Sequence, residues 1–306
     1  MRINPSQAVL PRRLVAGDII GVVAPSSPFD KASLDKGIEA IHQMGFGTRI
    51  DPQAYAGDGY LAGTDAERAD QLNAMFGDPE VRAVMCARGG YGALRILDRL
   101  DYALMASYPK PLIGFSDATA LHQAVYKRCG MATFHGPTVT TLGRSNQAGR
   151  RSWFQALTRV QMQSIAMPRA DFLIPGVAEG VLVGGNLTVL SHLIGTPFWV
   201  PLNAKLLFIE EVGEAPYRID RMLFQMKMAG LLEGLAGVVL GGFERCGQLG
   251  IIHQMARTFF EEQDIPVAAG LPMGHGHNNL TIALGALARL DSGSGELSFP
   301  DAILKE

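Results

Sequence analysis

The first part of the chain alternates short apolar runs with stretches in which apolar residues recur at helical spacing. Continuous apolar runs that predict buried strands occupy residues 18–24, 81–87, 112–114 and 131–134. Helical spacing follows in residues 31–44, 65–76, 93–97 and after Ser116. Strands that alternate with helices in this way predict a largely parallel sheet with helices on both faces.

The pattern weakens between residues 143 and 175, where Arg, Gln and Ser are more frequent, and it restarts at residue 180. Strands are predicted over residues 180–186, 205–209, 235–243 and 265–268, with helices over 187–194, from Pro216 onward and over 251–260. Short strands are predicted near the end, in residues 281–290 and 295–304. We therefore predict an N-terminal domain (residues 1–145), a linker (146–179) and a C-terminal domain (180–306).

Composition narrows the class of protein. The 306 residues are 47% hydrophobic with a net charge of -2, and no Lys/Arg cluster is present, which argues against nucleic acid or an anionic membrane as a partner. The first 17 residues contain no continuous apolar segment, so neither a secretory signal nor a membrane span is predicted. The three cysteines are scattered without a C-x-x-C pair, which favours a reduced, cytoplasmic compartment and no cysteine-based zinc site.

Ser116 lies where an apolar strand turns into a helix, in the segment LIGFSDAT (residues 112–119). A serine at such a corner projects its hydroxyl toward the free amides of the first helical turn. The segment resembles the G-x-S-x-G nucleophile elbow, with Ala118 in place of the last glycine. The alternative is that Ser116 is an ordinary helix N-cap.

A serine nucleophile needs a base, and that base needs a group that orients it. His275 is the first candidate because it lies between two glycines in a turn, where the backbone can approach a neighbour closely. His277 is a nearby competitor, and either histidine also fits a loop residue that only caps backbone groups.

Glu210 and Glu211 end the predicted strand over residues 205–209, and alternation places them on opposite faces. Glu210 shares its face with Phe208, so its carboxylate needs a buried partner such as an imidazole N–H. The alternative partner is an arginine of the following helix, Arg218 or Arg221.

Residues 88–92 (RGGYG) follow a predicted strand, so they are expected at the same edge of the sheet as Ser116, and their glycines leave the backbone amides accessible there. Their amides suit the stabilisation of an oxyanion, with the amide of Asp117 as a second donor. Phosphate binding is the alternative, although the spacing fits neither G-x-G-x-x-G nor a P-loop with its lysine. A metal hydrolase built on His275, His277 and a glutamate would lack the H-E-x-x-H spacing.

Taken in order, these segments resemble the LD-carboxypeptidase family of serine peptidases, which includes muramoyltetrapeptide carboxypeptidases and microcin self-immunity peptidases. The resemblance covers almost the whole chain. The motifs that carry it are residues 88–92 (RGGYG), 113–117 (IGFSD), 134–137 (FHGP), 184–188 (GGNLT), 210–214 (EEVGE), 216–218 (PYR) and 274–276 (GHG). Glu211 stands where many relatives have Asp.

The resemblance implies a Ser-His-Glu triad, which carries over to Ser116, His275 and Glu210. It also implies an oxyanion hole of backbone amides, placed here at Gly90 and Asp117. The implied fold is α/β, with a flavodoxin-like N-terminal domain of parallel strands that bears the serine. A swivelling β/β/α C-terminal domain bears the glutamate and the histidine, so that the site lies between the domains.

The expected function is that of a metal-free, cofactor-free serine carboxypeptidase that releases D-alanine from murein tetrapeptides during cell-wall recycling. Three residues are candidates for substrate contacts: Arg88, Tyr91 and Asn186. The small peptide is the expected partner, and a homodimer is expected because family members are often dimers.

Two alternatives stay open. Cleavage of aminoacyl-nucleotide amides is one, although only two tryptophans, Trp153 and Trp199, are available to stack on a base. A non-catalytic module that binds a nucleotide or phosphate is the other.

Overall fold

The computed structural model describes residues 9–167, 172–276 and 278–306, and these form two α/β halves with one sheet each. The strands of the first half are β1 (Ile19–Val23), β2 (Gly47–Ile50), β3 (Val81–Cys86), β4 (Leu112–Gly114) and β5 (Thr133–His135). Its helices are α1 (Lys31–Gln43), α2 (Asp65–Gly77), α3 (Tyr102–Ser107), α4 (Thr119–Cys129), α5 (Val139–Leu142) and α6 (Gln147–Thr158).

The first five strands are parallel and stand in the spatial order β2-β1-β3-β4-β5. This is the order of flavodoxin-like folds, and the parallel α/β sheet predicted from the hydrophobic pattern is confirmed. Strand β2 was not predicted, because its sequence, GTRI, has no apolar run. It is an edge strand whose residues are all partly exposed, so polar side chains are tolerated there.

The second half contains an eight-stranded sheet, whose strands are β6 (Ile165–Ala166), β7 (Phe172–Ile174), β8 (Val177–Asn186), β9 (Lys205–Val212), β10 (Gly237–Glu244), β11 (Val267–Ala268), β13 (Leu287–Asp291) and β14 (Glu296–Ser298). Their order across the sheet is β6-β14-β13-β8-β9-β10-β11-β7. Its helices are α7 (Leu187–His192), α8 (Pro216–Met228) and α9 (Leu249–Glu261). Strands β8 to β11 run parallel, as the alternating pattern predicts.

Segments from outside residues 1–145 contribute to the first half. Strand β12 (Ile282–Leu284) comes late in the chain but pairs antiparallel with β5 at the edge of the first sheet. Helix α6 lies in the stretch that we predicted as a linker, and its fully buried Trp153 packs against Phe46 at 6.2 Å between ring centroids. Helix α6 therefore supplies part of the core of the first half.

None of the helices within the described residues is both long enough and apolar enough to cross a bilayer. All three cysteines are buried and free of disulfide bonds.

Candidate active site

Ser116 lies at the carboxyl end of β4 with a backbone φ of 63°, in the left-handed region that non-glycine residues rarely adopt. The residue opens a single 3₁₀ turn, Ser116–Ala118, which leads into α4. The N-cap position of α4 is Ala118 and that of the turn is Phe115, so the alternative of Ser116 as an N-cap is wrong. A strained, partly exposed serine between a strand and a helix has the geometry of a nucleophile elbow.

The glycine loop after β3 lies directly beside this serine. A Cβ atom added to Gly89 would lie 2.9 Å from the Cβ of Ser116 and 3.1 Å from its Oγ, so the close approach requires bare backbone. Gly90 has a φ of 114°, and a Cβ there would collide with Ser27. The loop that follows β1 is bound to the same segment, because the amide of Tyr91 donates to Ser27 Oγ at 3.1 Å.

The side chain of Asp117, next to the serine, connects its own loop to the loops that follow β1 and β3. The residue is 4% exposed, and its carboxylate accepts hydrogen bonds from Ser26 Oγ at 2.6 Å and from the Ala93 amide at 2.8 Å. Burial raises the pKa of the Asp117 carboxyl, and the two hydrogen bonds oppose that shift. The sequence suggested only a backbone role for Asp117. The sequence around Ser116 does not indicate that this carboxylate contacts Ser26 and Ala93, which lie 91 and 24 residues away along the chain.

Glu210 and His275 are in direct contact. The His275 Nδ1–H donates to Glu210 Oε2 at 2.7 Å, and the backbone amide of His275 donates to the same oxygen at 3.0 Å. The Glu210 side chain is fully buried. Gly274 allows the approach, because a Cβ at this position would lie 2.5 Å from Glu210 Oε2. The predicted alternative partner, Arg218, instead pairs with Glu214 at 3.3 Å.

Glu211 has separate partners on the opposite face of β9. Its carboxylate accepts hydrogen bonds from Asn186 Nδ2 at 2.9 Å, from the amide and hydroxyl of Thr188 at 2.8 and 2.7 Å, and from the Val212 amide at 2.9 Å. Alternation along β9 therefore gives the two adjacent glutamates different surroundings, as predicted.

Phe115 brings the two halves of the site together. Its ring lies 4.9 Å from the His275 ring between centroids, and the residue immediately precedes Ser116. The imidazole of the second half thus packs against the loop of the first half that bears Ser116, and Glu210 is hydrogen-bonded to the same imidazole.

The three candidate substrate contacts have different surroundings. Arg88 is exposed and donates to the Pro28 carbonyl at 2.6 Å. Tyr91 is 47% exposed and lies 5.7 Å from the Tyr60 ring. Asn186 is buried, caps α7 through the Val189 amide and donates to Glu211, so its contacts favour a supporting role.

A cavity of about 300 Å³ opens beside the His275 turn. Its lining consists of Phe115, Thr141, Arg144, Ser145, Gly274, Gly276 and Asn279. The competing histidine, His277, lies outside the described residues. Among the residues that are described, no group of three or more His, Cys, Asp or Glu side chains has a metal-binding arrangement.

The fold and this site define a two-part α/β protein with a candidate acyl-transfer centre between its halves. Residues 20–136 match the LD-carboxypeptidase N-terminal domain and residues 179–290 match the LD-carboxypeptidase C-terminal domain. The chain is 37% identical to the probable murein peptide carboxypeptidase of Bacillus subtilis, over 92% of this chain and 91% of that protein.

Two solved structures are similar over most of their length. The microcin self-immunity protein MccF superposes with a TM-score of 0.89 at 26% identity, over 97% of this chain and 99% of that one. The muramoyltetrapeptide carboxypeptidase of Oxalobacter formigenes has a TM-score of 0.81 at 29% identity, over 91% and 97% of the two chains. The protein therefore belongs to the LD-carboxypeptidase family of peptidases, as its sequence motifs predict.

Proposed function

We propose that the protein is a serine carboxypeptidase that cleaves the amide between an L-configured centre and a terminal D-amino acid. The observation that carries this proposal is the contact between Glu210 and His275 in the second half, with the His275 ring packed against Phe115 beside Ser116. These two contacts support Ser116 as the nucleophile, His275 as the base and Glu210 as the carboxylate that orients it, the three groups that acyl transfer requires.

In this mechanism Ser116 Oγ attacks the scissile carbonyl and His275 Nε2 takes the hydroxyl proton. Glu210 accepts from Nδ1–H, so the tautomer is the one that leaves Nε2 free to act as the base. His275 then gives the proton to the leaving nitrogen. In the second step His275 takes a proton from water, the water oxygen attacks the acyl-enzyme, and the proton returns to Ser116 Oγ as the acid is released. The amides of Gly90 and Asp117 are the proposed donors to the oxyanion, since both lie in loops that border Ser116.

The proposed substrate is a murein tetrapeptide that loses its terminal D-alanine. The similarity to the murein peptide carboxypeptidase of Bacillus subtilis and to the muramoyltetrapeptide carboxypeptidase of Oxalobacter formigenes supports this substrate class. Cell-wall recycling in the cytoplasm is the corresponding role, with a homodimer as the proposed assembly.

Replacement of the nucleophile tests the proposal. Ser116→Ala should lower kcat for D-alanine release by about 10⁴-fold or more, because the remaining groups only bind and polarise the substrate. Mass spectrometry of a murein-peptide pool gives the bond that is cut, and circular dichroism checks the fold. Near-normal turnover by the variant would refute the serine mechanism.

Cleavage of an aminoacyl-nucleotide amide is the second candidate. The superposition with MccF, a microcin self-immunity protein, favours it. Incubation with an aminoacyl sulfamoyl adenosine and with a murein tetrapeptide, at equal concentration, separates the two substrates by their relative kcat/KM.

A further inference from the structure

We propose that the cavity beside His275 is the subsite for the terminal carboxylate of the departing amino acid, with Arg144 and Asn279 as its donors. The inference rests on the proposed carboxypeptidase function and adds the group that makes cleavage specific for a chain end. A carboxypeptidase must distinguish a free carboxylate from a continuing peptide, and charged donors are suited to that task.

The position of the cavity follows from the chemistry of the leaving group. His275 returns its proton to the leaving nitrogen, so that nitrogen lies beside the imidazole. The terminal carboxylate is attached to the carbon that this nitrogen bears, and it therefore falls on the imidazole side of the cleft. The cavity is bounded on that side by Gly274 and Gly276, which flank His275, and by Phe115.

Asn279 is a buried donor that lacks an acceptor. The residue is 7% exposed, and its Oδ1 accepts from the Gly274 backbone amide at 2.9 Å, which fixes the orientation of the side-chain amide. The Nδ2 group is buried and has no hydrogen-bond partner among the residues that the structure describes. A buried amide without a partner is unfavourable, and a carboxylate in the cavity would satisfy it.

Arg144 supplies the positive charge that would attract a carboxylate into the cavity. The residue is exposed, and within the described part of the chain no carboxylate forms an ion pair with it. The described lining contains no acidic residue that would compete for the guanidinium. Two hydroxyls in the lining are already used as donors: Ser145 Oγ donates to the Thr141 carbonyl at 3.0 Å, and Thr141 Oγ1 donates to the Thr138 carbonyl at 3.1 Å.

Arg88 is less suited to this role. It borders the glycine loop rather than the His275 turn, and its Nη1 already donates to the Pro28 carbonyl at 2.6 Å. The two arginines therefore lie against different loops of the site, and Arg144 is the one that lines the cavity beside the imidazole.

The test compares a murein tetrapeptide that ends in a free D-alanine carboxylate with the same peptide ending in D-alaninamide. Arg144→Gln should lower kcat/KM for the free acid by about 10- to 150-fold, the effect of one hydrogen bond to a charged group, and leave cleavage of the amide nearly unchanged. Arg144→Lys should fall between the wild type and Arg144→Gln. Arg151→Gln, at an exposed position on α6, makes the same charge change outside the cavity and should leave the acid-to-amide ratio as it is in the wild type.

A binding measurement separates this inference from the catalytic proposal. In a Ser116→Ala background, calorimetry with the free acid should show the same 10- to 150-fold loss of affinity when Arg144→Gln is added. Equal losses for acid and amide, or no loss for either, would overturn the carboxylate subsite even if the enzyme releases D-alanine. Absence of D-alanine release by the wild type would instead refute the proposed function.

Discussion

At the scale of single residues, two adjacent glutamates at the end of β9 have different tasks because a strand directs neighbouring side chains to opposite faces. Glu210 is fully buried and is hydrogen-bonded to the His275 ring. Glu211 accepts four hydrogen bonds from the start of α7 and from its own strand. One carboxylate binds an imidazole, in keeping with its proposed orienting role, and the other binds groups of the second half.

Substitution of each glutamate by glutamine should separate the two roles. Glu210→Gln should lower kcat by about 10⁴-fold, because a glutamine can stabilise the wrong imidazole tautomer and cannot stabilise an imidazolium. Glu211→Gln should lower the free energy of unfolding by about 1–3 kcal/mol for each donor that loses its acceptor, while the folded protein keeps most of its activity. Urea unfolding and peptide hydrolysis measure the two effects, and a reversed pattern would assign the orienting role to Glu211.

At the scale of elements, helix α4, which follows Ser116, is hydrogen-bonded to the end of β8 from the other half. The backbone N–H of Asn186 donates to Thr119 Oγ1 at 2.9 Å, and Gln123 Nε2 donates to the Gly184 carbonyl at 3.0 Å. Gly185 has a φ of 139°, and a Cβ there would collide with the Thr119 side chain. Glycine at this position therefore lets β8 approach the helix that begins just after Ser116.

Gly185→Ala should perturb both stability and activity, because the new methyl group pushes β8 away from α4. We expect a loss of about 2–4 kcal/mol in the free energy of unfolding and a lower kcat. Gly195→Ala is the matched control: Gly195 also has a positive φ, of 81°, but an added Cβ there meets nothing within 4 Å. The control should lose only about 1–2 kcal/mol from backbone strain and retain kcat. Equal effects of the two substitutions would mean that the approach of β8 to α4 is not needed.

At the scale of the whole molecule, buried histidines lie where the two sheets meet beneath the site. His135 on β5 packs edge-on against Phe208 of β9 at 4.9 Å and lies 6.3 Å from the His122 ring. Burial lowers the pKa of His122 to about 4 and lowers the pKa of His135 well below its ordinary value, with the nearby His122 and His275 adding to the second shift. Both rings are therefore neutral in the folded protein at neutral pH.

This pair should make the fold sensitive to acid. A histidine whose folded pKa is lowered takes up its proton more readily when unfolded, so its contribution to stability is complete above pH 6.5 and is lost as the pH falls toward 4. Each such histidine adds a slope of up to about 1.4 kcal/mol per pH unit.

Replacement of one ring of the pair should reduce the slope. His135→Phe should flatten the dependence of the unfolding free energy on pH between about 6.5 and 5, where few carboxylates titrate. His192→Gln, at an exposed position outside this pair, controls for the loss of a histidine as such. Urea titrations at several pH values give both slopes, and an identical slope for His135→Phe would exclude His135 as a source of acid sensitivity.

The hydrophobic pattern by itself determined the parallel sheet of the first half and the strands and helices that bear the site motifs. It could do so because apolar spacing reports which side of each element is buried, and strand ends are local features. Ser116 at a strand-to-helix corner and the opposite faces of Glu210 and Glu211 are predictions of this local kind.

The hydrophobic pattern did not determine which distant groups meet. The family resemblance implied that Glu210 pairs with His275, and the tertiary structure shows that contact together with others that nothing in the sequence indicated. The hydrogen bond between Glu210 and His275 joins residues 65 positions apart, and strand β12 crosses to the first sheet. The cavity that combines Arg144 with Asn279 likewise depends on long-range packing. No periodicity encodes such contacts, because burial constrains the face of an element but leaves open which other element covers that face.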